Sequence, residues 1–196
     1  MAVQPAVVRH PGVLADLIPG TWVRDAALVA GYAALVGLSA QIVIRLPFTP
    51  VPITGQTFGV LLGAMVLGWR RGLLGMVVYT LVGLAGLPWF AGATGGANAI
   101  FLPSFGYIVG FIGAAAVIGR LAGLGLDRTP WGALGAMIAG NVVVYAAGAT
   151  WLAFAIHVGP ATALALGVTP FLLGDALKAL IAAGLLPGIW MIAGRR

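Results

Sequence analysis

Long apolar stretches separated by short breaks dominate this sequence and restrict what it can fold into. A helix crosses a bilayer core about 30 Å thick with roughly 20 apolar residues, and six stretches approach or exceed that length. They lie near 26–44, 54–69, 72–88, 104–121, 131–156 and 169–192. Only 7% of the residues are charged and the mean hydropathy is +1.10, whereas about 25% of a soluble domain is charged. We therefore expect an all-α integral membrane protein, with six transmembrane helices in one compact bundle.

The arginines near the ends of these stretches predict the orientation, because cytoplasmic loops are enriched in basic residues. Eight of them fall on one side of the predicted membrane: Arg9, Arg24, Arg70, Arg71, Arg120, Arg128, Arg195 and Arg196. The opposite side has only Arg45. Both termini are therefore predicted to be cytoplasmic. Residues 1–25 contain three prolines and no unbroken apolar core, so they are predicted to form a cytoplasmic or interfacial segment before a membrane domain at 26–193.

Two charges lie inside the last apolar stretch, in "PFLLGDALKAL" at 170–180. Asp175 and Lys178 are three residues apart, so they share one helix face. A charge at the centre of a membrane helix costs about 2.5–3.5 kcal/mol, and ionisable residues there usually have a function. The two side chains could simply neutralise each other or snorkel toward the interface. Against this, Lys178 lies too deep to reach water easily, and two alanines would cost less than an isolated ion pair. The sequence favours a cavity in which the pair binds a polar group.

Other polar residues approach the same level of the predicted membrane, near the outer ends of the second, fourth and fifth helices. They are Thr54, Gln56, Thr57, Asn98, Ser104, Tyr107, Tyr145, Thr150 and Trp151. The inner halves of the helices are almost entirely apolar. A channel would carry polar residues along its full length, so this asymmetry predicts a pocket open to the outside and closed toward the cytoplasm. The glycine-rich "AGATGG" at 91–96 is predicted to close over a ligand.

Composition also limits the alternative functions. The net charge is +6, but the arginines are scattered and form no basic stripe for nucleic acid. The chain has no cysteine, two histidines and no cluster of carboxylates, which disfavours a metal site or an intramembrane enzyme and leaves no candidate catalytic residue. A structural subunit, in which the polar residues only hold helices together, remains a separate hypothesis.

A stripe of small residues runs along the first predicted helix. Ala26, Ala30 and Ala34 recur every four residues, and such a stripe lets another helix approach closely. Spacing alone leaves open whether that helix belongs to this bundle or to a partner subunit.

Five segments resemble the BioY family, the biotin-binding S components of energy-coupling factor (ECF) transporters. They are "PVPITGQTFGVLLGAMVLG" (50–68), "GLPWFAGATGG" (86–96), "GYIVGF" (106–111), "YAAGATWL" (145–152) and "PFLLGDALKA" (170–179). The resemblance covers roughly 26–192, in order. It implies a six-helix S component in the inner membrane of a prokaryote, which captures biotin from outside and works with a transmembrane coupling protein and ATP-binding-cassette ATPases.

The resemblance also suggests roles for individual residues, with biotin as the transported substrate and no cofactor. Asp175 would accept the N–H groups of the ureido ring, and Lys178 would meet the ureido oxygen or the carboxylate. The other expected biotin contacts are Asn98, Gln56, Tyr145, Trp151 and Tyr107. Ala30 and Ala34 match the positions that dock on the coupling protein. The family often has leucine at Gly55 and "GPTGGY" in place of "LPSFGY" (102–107), so the loop contacts differ from the family pattern.

Overall fold

The fold, seen in a computed structural model that describes residues 12–193, is built almost entirely from helices. Arg9, Arg195 and Arg196, on which part of the predicted orientation rests, lie outside the described residues. Six long helices and one short one form a single bundle, and an all-α fold is confirmed. They are α1 (Trp22–Ser39), α2 (Gln56–Leu67), α3 (Trp69–Leu84), α4 (Phe105–Gly123), α5 (Pro130–Ala155), the short α6 (Pro160–Gly167) and α7 (Leu172–Ala193).

Two elements were absent from the sequence prediction. One begins within the predicted first helix and continues through the predicted break at 45–54, and the other lies in the predicted break at 157–168. Strands β1 (Val43–Ile44) and β2 (Ile53–Thr54) form an antiparallel hairpin in which Val43 pairs with Thr54 and Ile44 with Ile53. The first helix consequently ends at Ser39 and not at residue 44. The break at 157–168 contains α6, which begins at Pro160, a residue favoured in the first turn of a helix.

Three segments of the described chain are long and apolar enough to cross a membrane by length and composition. They are Phe105–Gly123, Pro130–Ala155 and Pro160–Ala193, the last of which combines α6 and α7. Gln56–Leu67 is apolar but has only 12 residues. At about 1.5 Å per residue, that helix is shorter than the bilayer core.

The connection between α2 and α3 is a single residue, Gly68. Its φ of +79° is a conformation that other residues rarely adopt, and it allows a sharp reversal of the chain. A Cβ on Gly72 would lie 3.3 Å from the Cα of Ala64, so α3 packs back closely on α2. The sequence prediction placed this break at 69–71, one residue too late.

Helix α4 lies at the centre of the bundle and packs against α2, α3 and α5. Small residues make this possible: a Cβ on Gly110 would lie 3.0 Å from the Cα of Val144 in α5. Close backbone approach of this kind is a main source of helix association in membranes. We call the end of the bundle with the β1–β2 hairpin the hairpin end. The other end, which has Arg70, Arg71 and Arg128, is the arginine end.

At the arginine end, the buried Asp127 ties the α4–α5 connection to α7. Its Oδ2 accepts a hydrogen bond of 2.6 Å from the indole N–H of Trp190, and the Arg128 guanidinium lies 4.7 Å from the centre of that ring. Burial raises the pKa of the Asp127 carboxyl, and the indole hydrogen bond opposes the rise. This contact holds the last turns of α7 in place.

We therefore expect Trp190→Phe to lower the free energy of unfolding by about 1–3 kcal/mol, the cost of leaving a buried acceptor without its donor. Thermal unfolding of the purified protein in detergent measures the change. Trp131→Phe is the matched control, since Trp131 is exposed at the start of α5. Equal stability of the two variants would contradict a stabilising role for the indole hydrogen bond.

Candidate functional site

A cavity of about 380 Å³ opens at the hairpin end of the bundle. This is near the lower limit of the roughly 300–1,000 Å³ found for small-molecule sites. Its walls come from the hairpin and the start of α2, the 90–94 loop, α4, α5 and α7. The polar and charged residues that line it are Arg45, Thr49, Thr54, Gln56, Thr57, Thr94, Ser104, Tyr107, Tyr145, Asp175 and Lys178.

Asp175 forms the centre of a hydrogen-bonded cluster on one wall of this cavity. Its side chain is only 6% exposed. Oδ1 accepts hydrogen bonds from Lys178 Nζ at 2.8 Å and Thr57 Oγ1 at 3.2 Å, and Oδ2 accepts one from Tyr145 Oη at 2.5 Å. A carboxylate has about four acceptor positions. Three are occupied, so one remains on Oδ2 for a donor in the cavity.

Lys178 is held by the protein itself. Its Nζ donates to Asp175 Oδ1, to Thr57 Oγ1 at 2.7 Å and to the backbone oxygen of Thr54 at 3.2 Å. An ammonium group has three donors, and these three contacts use all of them. Lys178 therefore neutralises and orients Asp175, and it anchors α7 to the start of α2.

Gln56 adds a second polar group on the same side. It is buried, its Nε2 donates to Tyr79 Oη at 2.6 Å, and its Oε1 accepts from Thr54 Oγ1 at 3.1 Å. An amide nitrogen carries two hydrogens. One is used by Tyr79, which leaves one N–H for another acceptor.

The remaining wall is apolar and largely aromatic. Phe105, Tyr107, Ile108 and Phe111 of α4 line it, together with Phe171 just before α7. The rings of Tyr107 and Phe171 are 6.2 Å apart, and Tyr107 Oη donates to the backbone oxygen of Gly167 at 2.6 Å. With its hydroxyl engaged, Tyr107 contributes to the wall chiefly through its ring.

Two loops contribute residues to the cavity wall, and both are fixed by hydrogen bonds. Gln41 Nε2 donates to the backbone oxygen of Trp89 at 3.2 Å, while its Oε1 accepts from the amide of Ala93 at 3.0 Å. At the hairpin tip, Thr49 Oγ1 donates to the backbone oxygen of Leu166 at 2.8 Å. The glycine-rich loop thus lines the cavity through Phe90, Ala91 and Thr94, and its movement over a ligand stays a prediction.

Five of the predicted ligand contacts are brought together here: Asp175, Lys178, Gln56, Tyr145 and Tyr107. Asn98 and Trp151 do not line the cavity. Asn98 is exposed on the 3₁₀ turn Ala97–Phe101, where its neighbour Ala99 faces inward. Trp151 donates from its indole N–H to the backbone oxygen of Leu102 at 3.1 Å, and its ring lies 5.7 Å from that of Phe105. It therefore supports the wall from behind.

Arg45 lines the cavity, although the sequence predicted only that it lies on the outer side of the membrane. It directly follows β1, and a Cβ on Gly92 would lie 3.1 Å from its Nη2. The sequence does contain a signal for it, since Arg45 is the one arginine predicted on the same side of the membrane as the converging polar residues.

A separate apolar groove of about 710 Å³ runs between α1, α2 and α7. We call it the α1 groove; Ala27, Gly31, Leu35 and Ile181 line it, and Lys178 borders it as well as the cavity. Ala30 and Ala34, the predicted docking residues, are exposed on α1 beside this groove. They do not pack inside the described bundle, and their contact with a partner stays a prediction.

Comparison with known proteins agrees with this architecture. The chain is 40% identical over 168 residues to a biotin transporter BioY of Rhizobium etli, covering 82% of this chain and 89% of the relative. It is 40% identical over 152 residues to a biotin transporter BioY of Thermotoga maritima, covering 78% and 87%. A crystal structure of the S-component for biotin from an ECF-type ABC transporter superposes with a TM-score of 0.76 at 24% identity, covering 87% of this chain and 92% of that one.

The structural match establishes the fold, and the sequence matches extend through every element that builds the cavity. The model of the BioY family matches residues 9–195, a span that includes the hairpin, the glycine-rich loop and the Asp175–Lys178 turn. The sequence resemblance is thereby confirmed, and the chain belongs to the BioY family.

Proposed function

We propose that this protein is the biotin-binding subunit of an ECF transporter and that it captures biotin in the cavity at the hairpin end. The observation that carries the proposal is the buried Asp175 carboxylate, held by Lys178, Thr57 and Tyr145 with one acceptor position left open. Its relatives are named as transporters, and the chain belongs to a family of transporters and not of enzymes.

The chemistry of biotin matches the two kinds of wall. Its fused rings are apolar on their faces, and its ureido group has two N–H donors and one oxygen acceptor. The ring faces would lie against Tyr107 and Phe171, while a ureido N–H donates to Asp175 Oδ2. The free N–H of Gln56 would donate to the ureido oxygen. A charge-assisted bond of this kind is roughly twice as strong as a neutral one.

We further propose that the hairpin end faces outside, that both termini are cytoplasmic, and that six helices cross the inner membrane of a prokaryote. Of the six arginines among the described residues, Arg45 alone is at the hairpin end, and basic residues favour the cytoplasmic side. Release into the cytoplasm would then require a transmembrane coupling protein and ATP-binding-cassette ATPases, since the cavity lies at the hairpin end.

Equilibrium binding of labelled biotin to the purified protein tests the proposal, and saturable binding is expected. Asp175→Asn should weaken it about 10- to 150-fold, because a hydrogen bond to a charged group contributes about 1.5–3 kcal/mol. Asp25→Asn, the same change in a half-exposed, ion-paired residue at the arginine end, should leave the affinity within about twofold. An absence of saturable binding would refute the function, and unchanged affinity in Asp175→Asn would make the Asp175 cluster purely structural.

A further inference from the structure

The charges that line the cavity do not cancel. Arg45 and Lys178 are positive and Asp175 is negative, so the lining has an excess of one positive charge. Lys178 and Asp175 form an ion pair at 2.8 Å, which leaves the excess on Arg45. Within residues 12–193, the Arg45 side chain has no hydrogen-bond or ion-pair partner. Such a cavity is matched in charge to a ligand with one negative group.

Lys178 is poorly placed to meet that group. Its three donors are already engaged with Asp175, Thr57 and the backbone of Thr54. A ligand carboxylate that turned to Lys178 would also face the Asp175 carboxylate, and like charges close together repel. The anionic end of a ligand is therefore expected on the side of the cavity that faces away from the Asp175 cluster.

The backbone around Arg45 is held before any ligand arrives. The residue directly follows β1, whose pairing with β2 fixes the register of the hairpin. Farther along, the Thr49 hydroxyl joins the hairpin to α6 and also accepts from the amide of Val51 at 3.2 Å. A preorganised backbone lowers the entropy lost when a flexible arginine binds.

We propose that Arg45 binds the carboxylate of the ligand and so fixes its orientation, with the ureido end at Asp175 and the carboxylate at the hairpin. This assignment rests on the proposed function. The planar guanidinium has paired N–H donors that fit the two oxygens of a carboxylate. Arg45 thereby distinguishes the free acid from neutral molecules with the same ring system.

Two ligands and three variants test this assignment. Biotin and its methyl ester share the ring system, but the ester has no negative charge. We expect Arg45→Gln to weaken biotin binding about tenfold, because an exposed charge-assisted pair contributes about 1.4 kcal/mol. The ester should bind Arg45→Gln and the wild type equally, within about twofold. Arg45→Lys should recover part of the biotin affinity, and Arg70→Gln, at the arginine end, should change neither ligand.

The outcomes separate this assignment from the function on which it rests. Unchanged biotin affinity in Arg45→Gln would overturn the assignment, and so would an equal loss for biotin and its ester, which would indicate a damaged hairpin. If the wild type bound neither biotin nor its ester, the proposed function itself would be refuted.

Discussion

Replacing Lys178 with methionine is expected to lower the free energy of unfolding by about 3 kcal/mol. The Asp175 carboxylate is almost completely buried, and Lys178 is its partner at 2.8 Å. Breaking a buried ion pair by removing one member typically costs about 3–5 kcal/mol, because the remaining charge is uncompensated. Lys178 is 21% exposed, which places the expected value at the lower end. Methionine keeps most of the side-chain length, so the loss of charge dominates.

The double variant Asp175→Asn with Lys178→Met is the matched control for this prediction. It removes both charges, and most of the lost stability should return, since replacing a whole buried pair is often nearly neutral. Unfolding in detergent, by heat or denaturant, compares the three variants with the wild type. Biotin binding should remain weak in the double variant, because the carboxylate is gone. If Lys178→Met were as stable as the wild type, the lysine would not be needed to hold Asp175.

Replacing Ala30 with tryptophan is expected to abolish ATP-driven biotin uptake while leaving biotin affinity within about twofold of the wild type. Ala30 is exposed on α1 beside the α1 groove, one helical turn before Ala34, and does not line the cavity. Small residues allow a second helix to approach closely, and a bulky indole would block that approach. Uptake of labelled biotin into proteoliposomes with the coupling protein and ATPases measures the loss.

Ile138→Trp is the control for bulk on a membrane-facing surface. Ile138 is an exposed residue of α5 that lines neither the cavity nor the α1 groove. We expect this variant to transport biotin normally. Normal uptake by Ala30→Trp would show that α1 does not dock through this stripe.

The core of the site was predictable because burying charge in a membrane is costly. Asp175 and Lys178 stand out in an apolar helix, and the orientation placed Thr57 and Tyr145 at the same level. The structure joins these four side chains by hydrogen bonds. The presence of the long helices was predictable for the same reason, since mean hydropathy measures how favourably a segment transfers into the bilayer.

Hydropathy could not locate the hairpin, and the reason lies in residues 40–44. Val43 and Ile44 continue the apolar run of α1, so the change from helix to strand leaves no trace in composition. Pro50 and Pro52, which cannot donate backbone hydrogen bonds, made the following segment resemble a simple break. The sequence therefore predicted which side of the membrane Arg45 lies on. It did not predict the hairpin that places Arg45 at the cavity.

The positions of Asn98 and Trp151 could not be deduced for a different reason. Spacing assigns a residue to a face only where the helix is regular, and Asn98 lies on a short 3₁₀ turn. Its neighbour Ala99 takes the inward position. Trp151 is on the regular helix α5, but its indole contacts the backbone of Leu102 before it can reach the cavity, and sequence spacing does not reveal such a tertiary contact.

Lys178 borders both the ligand cavity and the α1 groove. A helix seated in the groove and a ligand bound in the cavity would therefore both contact Lys178. Two binding events that share a side chain are thermodynamically linked, and the linkage is reciprocal. If a helix that docks in the α1 groove draws Lys178 away from Asp175, docking must lower the affinity of the cavity for its ligand. A bound ligand must then weaken docking in the groove by the same factor. Under that condition, one lysine would link occupation of the α1 groove to ligand release from the cavity.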